Sequence, residues 1–150
     1  MNAAHVHLML NHFSVVGVIL ALLLFTAAAI RKSDEFAKGI LALFIGVALV
    51  SIAVYLTGES AEEQVKPMPW ASRDFIETHD DVAALALALV EVLGGASLVG
   101  LFLFRRSPLP RWFIVVILIL SIASSAAMGY TGYLGGKIRH SELPELERGS

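Results

Sequence analysis

Five histidines, His5, His7, His12, His79 and His140, are the residues of this chain best equipped for chemistry. A neutral imidazole is an axial ligand of haem iron and a common ligand of copper and zinc. The five come from three segments far apart in the chain, which is the pattern of a site assembled by folding. On a helix, seven residues are close to two full turns, so His5 and His12 face nearly the same way while His7 points elsewhere. There is no cysteine, which excludes disulfides, thiolate metal sites and thiol nucleophiles.

The elements that must position these histidines are written in the composition. Apolar residues make up 57% of the 150 and charged residues 16%, against about 45–50% and about 25% in an average soluble domain. Mean hydropathy is +0.74. The excess lies in blocks: residues 13–30, 39–58 and 112–136 carry no charge, and residues 82–104 carry only Glu91. A run of about 18 or more apolar residues is long enough to cross a bilayer as a helix. The expectation is an all-α protein, a four-transmembrane-helix bundle running up-down-up-down, in a single membrane domain. Nucleic-acid binding, a secreted disulfide scaffold and a soluble enzyme fold are excluded. The first apolar block is followed, not preceded, by the bases Arg31 and Lys32, the reverse of a signal peptide, so it reads as a span.

The net charge of −2 matters less than where the charges fall. Arg31, Lys32, Lys38, Arg105, Arg106 and Arg111 crowd into the two short turns. The positive-inside rule places those turns in the cytoplasm and both termini on the outer, periplasmic side of a bacterial inner membrane. The region from Glu59 to Asp81 then lies outside, with seven acids against two bases. All five histidines fall on that acidic side. Helices are expected over about residues 4–30, 34–56, 79–104 and 111–134, with an outer loop at 57–78 and a polar tail at 137–150. Ser33 suits the N-cap of the second helix, and Gly135-Gly136 suits the end of the fourth. Pro67 and Pro69 forbid a continuous helix between the second and third. The chain also carries a weak internal repeat of two hairpins, whose returning helices end as Tyr55-Leu56-Thr57-Gly58 and Tyr130-Thr131-Gly132-Tyr133.

In such a bundle the first and third helices lie diagonally across the core, and His12 and His79 stand at their outer ends. They form the expected first ligand pair for a haem b, with His7 and His140 a second pair and hence one or two haems. Ala83, Ala84, Ala86, Ala88 and Gly17 leave room for a flat ring, although small residues serve close helix packing equally well. Arg73, Lys137 and Arg139 lie on the same side, where they can pair with haem propionates. The same four histidines, with Glu77, Asp80, Asp81 and Glu142 nearby, also suit copper or zinc. A blander reading makes each histidine interfacial decoration, His5 most readily because it lies nearest the terminus. Glu91, the lone carboxyl inside a span, is either a proton or quinone contact or a neutral group bonded to Ser121, Ser124 or Ser51. Tyr55, Tyr130 and Tyr133 fit an outer aromatic belt, and Gly94, Gly95 and Gly129 fit close helix contacts.

Four segments carry a wider likeness: His7-Leu8-Met9-Leu10-Asn11-His12-Phe13, Leu56-Thr57-Gly58-Glu59-Ser60-Ala61-Glu62-Glu63, Ile76-Glu77-Thr78-His79-Asp80 and Gly135-Gly136-Lys137-Ile138-Arg139-His140-Ser141-Glu142. They resemble a family of uncharacterised bacterial four-helix membrane proteins with a histidine-rich outer face, over most of the chain. Many relatives have Pro where this chain has Ser14, and His-Glu where it has His79-Asp80. The resemblance implies His7, His12, His79 and His140 as the motif histidines but implies no reaction. A looser similarity to four-helix b-type cytochromes implies haem. The leading expectation is therefore bis-His ligated haem passing electrons near the outer face, from a quinone of the bilayer to a periplasmic redox protein. Copper or zinc at the same histidines is the alternative. A second alternative is a cofactor-free structural subunit, self-associated or part of a larger complex.

Overall fold

The computed structural model describes residues 3–67 and 73–139. They form four helices, α1 (Ala3–Ile30), α2 (Asp34–Val65), α3 (Arg73–Leu103) and α4 (Arg111–Arg139). All four are long and apolar enough to cross a membrane. α1 packs on α2 and α4, and α3 packs on the same two helices, while α1 and α3 do not touch. This is the expected antiparallel bundle with α1 and α3 on one diagonal.

The distribution of side-chain size has the pattern of a multi-pass membrane protein. Phe13, Ile30, Leu56 and Phe102 are each about 70% exposed or more, and large aliphatic side chains cover the rest of the exterior. The interior mixes large side chains such as Phe25, Leu41, Phe44 and Leu93 with the small Ala21, Ala28, Ala37, Ala48 and Ala86 and the hydroxyls of Ser14, Ser51, Ser97, Ser121 and Ser124. Small residues let helix backbones approach closely, which is how helices associate when the surrounding solvent is as apolar as their own surface. A Cβ added to Gly94 would lie 2.5 Å from Ala48 Cβ, and one added to Gly100 would run into the ring of Phe113. Gly95 and Gly129, expected at close contacts, face open space instead.

The helix ends depart from expectation in one direction: three helices are longer. α2 runs through Thr57 and Gly58 to Val65, because Glu59 to Gln64 are good helix formers and Ala61 finds burial. Glu62 pairs with Lys66 at 2.7 Å one turn later, and Pro67 follows. α3 starts at Arg73, and α4 passes through Gly135-Gly136 to Arg139. At the basic end the α1–α2 turn is closed by Ser33 N–H to Ala28 O and Lys32 N–H to Ala29 O, with Lys32 at φ 54°. This left-handed residue between two such bonds is a Schellman cap. Ser33 makes no side-chain cap. Asp34 instead accepts the Leu109 N–H at 2.7 Å and pairs with Lys38 at 2.6 Å, and Lys38 donates to Ser107 O. This latch joins the start of α2 to the α3–α4 turn.

The internal repeat is real in the packing, in a shifted register. The buried positions Ser14, Val18, Ala21, Phe25 and Ala28 of α1 correspond to the buried Ala86, Val90, Leu93, Ser97 and Gly100 of α3. Likewise Ile40, Phe44, Val47 and Ser51 of α2 correspond to Ile117, Ser121, Ser124 and Met128 of α4. In this register His7 matches His79, and Val54 and Gly58 match Thr131 and Gly135. The tyrosine-to-tyrosine alignment of the helix ends is two residues off.

Candidate histidine site at the acidic end of the bundle

His7 sits in the second turn of α1, half-buried against α2. Its Nδ1 is 3.0 Å from Val54 O and 3.2 Å from Thr57 Oγ1. A carbonyl oxygen only accepts, so Nδ1 carries the hydrogen. The Thr57 hydroxyl already donates to Val54 O at 2.8 Å, so its oxygen is free to accept as well. In the neutral form of the ring this leaves Nε2 as the nitrogen without a hydrogen. Gly58 leaves space beside the ring, its Cβ position lying 3.6 Å from His7 Cε1.

His79 repeats this arrangement in the other hairpin. Its Nδ1 donates to Thr131 O of α4 at 3.2 Å, and the Cβ position of Gly135 lies 3.5 Å from its Cε1. Thr131 is held by its own bond to Ala127 O. A metal-bound histidine characteristically donates its other N–H to a carbonyl or carboxylate, which fixes tautomer and ring orientation. Both histidines meet that condition on opposite helices of one diagonal. His79 and Asp80 lie close enough to His7 to act on it electrostatically.

The other expected site residues are placed differently. His12 is exposed, its Nδ1 donating to Leu8 O of its own helix at 2.7 Å. With Leu8, Met9 and Phe13 it lines a shallow outward hollow of about 270 Å³. Five residues after His7, its ring turns away from the face that His7 presents to α2. The structure therefore brings His7, rather than His12, toward His79. Among the described residues no group of three or more His, Cys, Asp or Glu is arranged to hold a metal ion. The side chains of His5 and Arg139, and all of His140, lie outside the described residues. Arg73 is exposed at the first position of α3. Lys137 stands 4.8 Å over the ring of Tyr133, which stacks on Tyr130.

Around the pair the surface is acidic. Glu59, Glu63, Asp74, Glu77, Asp80 and Asp81 are exposed at this end of the bundle. Lys66 stands at the same end, and its hydrogen bond to Glu62 holds its ammonium above the usual lysine range. The sequence reading missed Val54, Thr57, Gly58, Thr131 and Gly135 as partners of the histidines. Two of the five act through main-chain carbonyls, which side-chain identity does not reveal. The usable signal was a glycine four residues beyond each acceptor, at positions 58 and 135.

The chain matches no protein-family model, no curated protein and no solved structure. The four long apolar helices are compatible with an uncharacterised helical family.

Proposed function

We propose that this protein binds one haem b between His7 and His79, at the acidic end of the bundle, and passes single electrons there. The observation that carries the reading is the matched state of the two imidazoles. Each sits on one of the diagonal helices and donates Nδ1–H to a carbonyl of its hairpin partner, which in the neutral ring leaves Nε2 to act as the ligand atom. Two such groups fit the group chemically: haem iron takes two axial ligands from the protein, and the porphyrin brings the other four. A bare zinc centre asks the protein for three or four, more than this pair provides. When bound, the haem supplies reversible one-electron redox chemistry.

The chain's own residues hold and tune the site. Val54 and Thr131 carbonyls fix the imidazole planes, and Thr57 adds a second acceptor at His7. The rings pack beside Gly58 of α2 and Gly135 of α4, where a Cβ would make an ordinary van der Waals contact. Arg73 stands at the same end, where a guanidinium suits a haem carboxylate. His12, with its Nε2 free in the hollow beside Phe13, suits the hydrogen-bonding headgroup of a quinol arriving from the lipid. In this reading the basic turns face the cytoplasm of a bacterium and the acidic end faces the periplasm, where a basic redox protein is the matching partner.

The visible spectrum of the purified protein tests the reading. A sharp reduced-minus-oxidised α-band, lost in His7→Ala and in His79→Ala but kept in His12→Ala, is expected. A colourless protein with stoichiometric copper or zinc would replace haem by a metal centre. A colourless protein with neither would leave a structural subunit.

A further inference from the structure

The basic end of the bundle carries more charge than its own contacts use. The α1–α2 and α3–α4 turns are tied together there by the bonds of Asp34 to the Leu109 N–H and of Lys38 to Ser107 O. Arg31, Lys32, Arg105, Arg106 and Arg111 are all exposed on this end. Among the described residues none of the five stands in an ion pair: Asp34 is taken by Lys38, and Glu35 is the other carboxylate of the two turns. Two helix C-termini and two helix N-termini meet at this end, so their dipoles offset one another. Five bases against one carboxylate remain.

The α3–α4 turn is stiff and borders apolar surface. Pro108 and Pro110 restrict its backbone. The Phe104 ring lies 5.3 Å from that of Phe113 and 6.3 Å from that of Trp112, centroid to centroid. The Arg105 guanidinium lies 5.4 Å over the Phe102 ring. Such stacking engages the face of the guanidinium and leaves its edge N–H groups for phosphate oxygens, which arginine grips as a fork. Beside these bases Ile30, Phe102, Leu103 and Trp112 are each 62% exposed or more. A free phosphate would engage the bases and leave that apolar rim bare. A molecule with an anionic phosphate and acyl chains engages both.

We propose that the two basic turns together form a docking surface for an anionic phospholipid. Its phosphate lies on Arg105, Arg106 and Arg111, with charge added by Arg31 and Lys32, and its acyl chains pass Phe102, Leu103 and Trp112. The surface requires the bundle to stand in a bilayer, but it requires neither haem nor a particular orientation.

Trp112 supplies the reporter, because Trp70→Phe leaves it the single tryptophan of the chain. The full-length protein in this background is placed in phosphatidylcholine vesicles holding a minor share of lipid brominated in its acyl chains, which quenches a tryptophan it touches. Brominated phosphatidylglycerol should occupy the Trp112 surface about fivefold or more in preference to brominated phosphatidylcholine, since each base near an anionic headgroup is worth about fivefold in affinity. Arg105→Gln with Arg106→Gln should bring the two lipids close to parity, while Arg31, Lys32, Lys38 and Arg111 remain to hold the insertion. Arg105→Lys with Arg106→Lys keeps the charge and should keep most of the preference. Equal quenching by the two lipids in the parent overturns the surface. A preference undiminished in the glutamine pair overturns its assignment to these arginines. A preference abolished by inorganic phosphate at constant ionic strength would give the site to free phosphate and equally defeat the lipid.

Discussion

At the scale of single residues, the proposed function turns on which ring nitrogen is occupied. His7, His12 and His79 all donate Nδ1–H to a carbonyl, but His7 and His79 reach across to a neighbouring helix while His12 bonds within its own. A bond across helices orients the ring relative to the bundle; a bond to residue i−4 only tilts it along α1. Removing such a partner typically costs 10- to 100-fold in metal affinity or activity. Thr57→Val removes one of two acceptors at His7, so about a tenfold loss of haem affinity is expected, read by haem titration of the apoprotein. Thr57→Ser should retain parental affinity. The placement of His7 and His79 at one end of the bundle was legible in the sequence, because imidazoles at the ends of apolar runs stand out. Which histidines bond across to a neighbouring helix was not. His12 is the better candidate by its position beside the apolar run, yet a helix turns about 100° per residue, and only packing decides which face looks inward.

At the scale of elements, close approach decides stability. Gly100 faces the Phe113 ring and Gly94 faces Ala48, whereas Gly95 and Gly129 face open space. Overpacking a tight contact costs typically 1–3 kcal/mol, while replacing an unconstrained helical glycine by alanine gains roughly 0.5–1 kcal/mol. Gly100→Ala is therefore expected to lower the unfolding midpoint in detergent. Gly95→Ala is expected to leave it unchanged or raise it. Gly100→Ala combined with Phe113→Leu should recover much of the loss, which would identify the ring as the obstacle. The sequence located all four helices and both short turns, because span length and prolines are local signals. It shortened α2, α3 and α4, since Thr57-Gly58 and Gly135-Gly136 read locally as helix stops. Both helices continue past these stops, with Gly58 and Gly135 packed beside the His7 and His79 rings.

At the scale of the whole molecule, charge and size are segregated along and around the bundle. Six bases mark one end, a run of acids marks the other, and large apolar side chains cover the flanks. The absence of cysteine makes the orientation easy to read. Ser60→Cys at the acidic end should react with a membrane-impermeant thiol reagent in intact spheroplasts, and Ser107→Cys in the basic turn only after lysis. The opposite labelling pattern would overturn the proposed orientation. Fold class and the two polar ends were open to inspection in the sequence, because both follow from composition. The exact register between hairpins was hidden, since Ser121 stands opposite Phe44 in it and burial, not chemical likeness, relates the two. That register has a further meaning. Each hairpin carries one of the two imidazoles that bond across helices, so under the proposed function neither half holds a complete ligand set. The chain would then be a tethered pair of near-equivalent halves. Severing the tether between Val65 and Arg73 would turn ligand capture into a bimolecular event, so that cofactor retention would depend on how strongly the halves find each other.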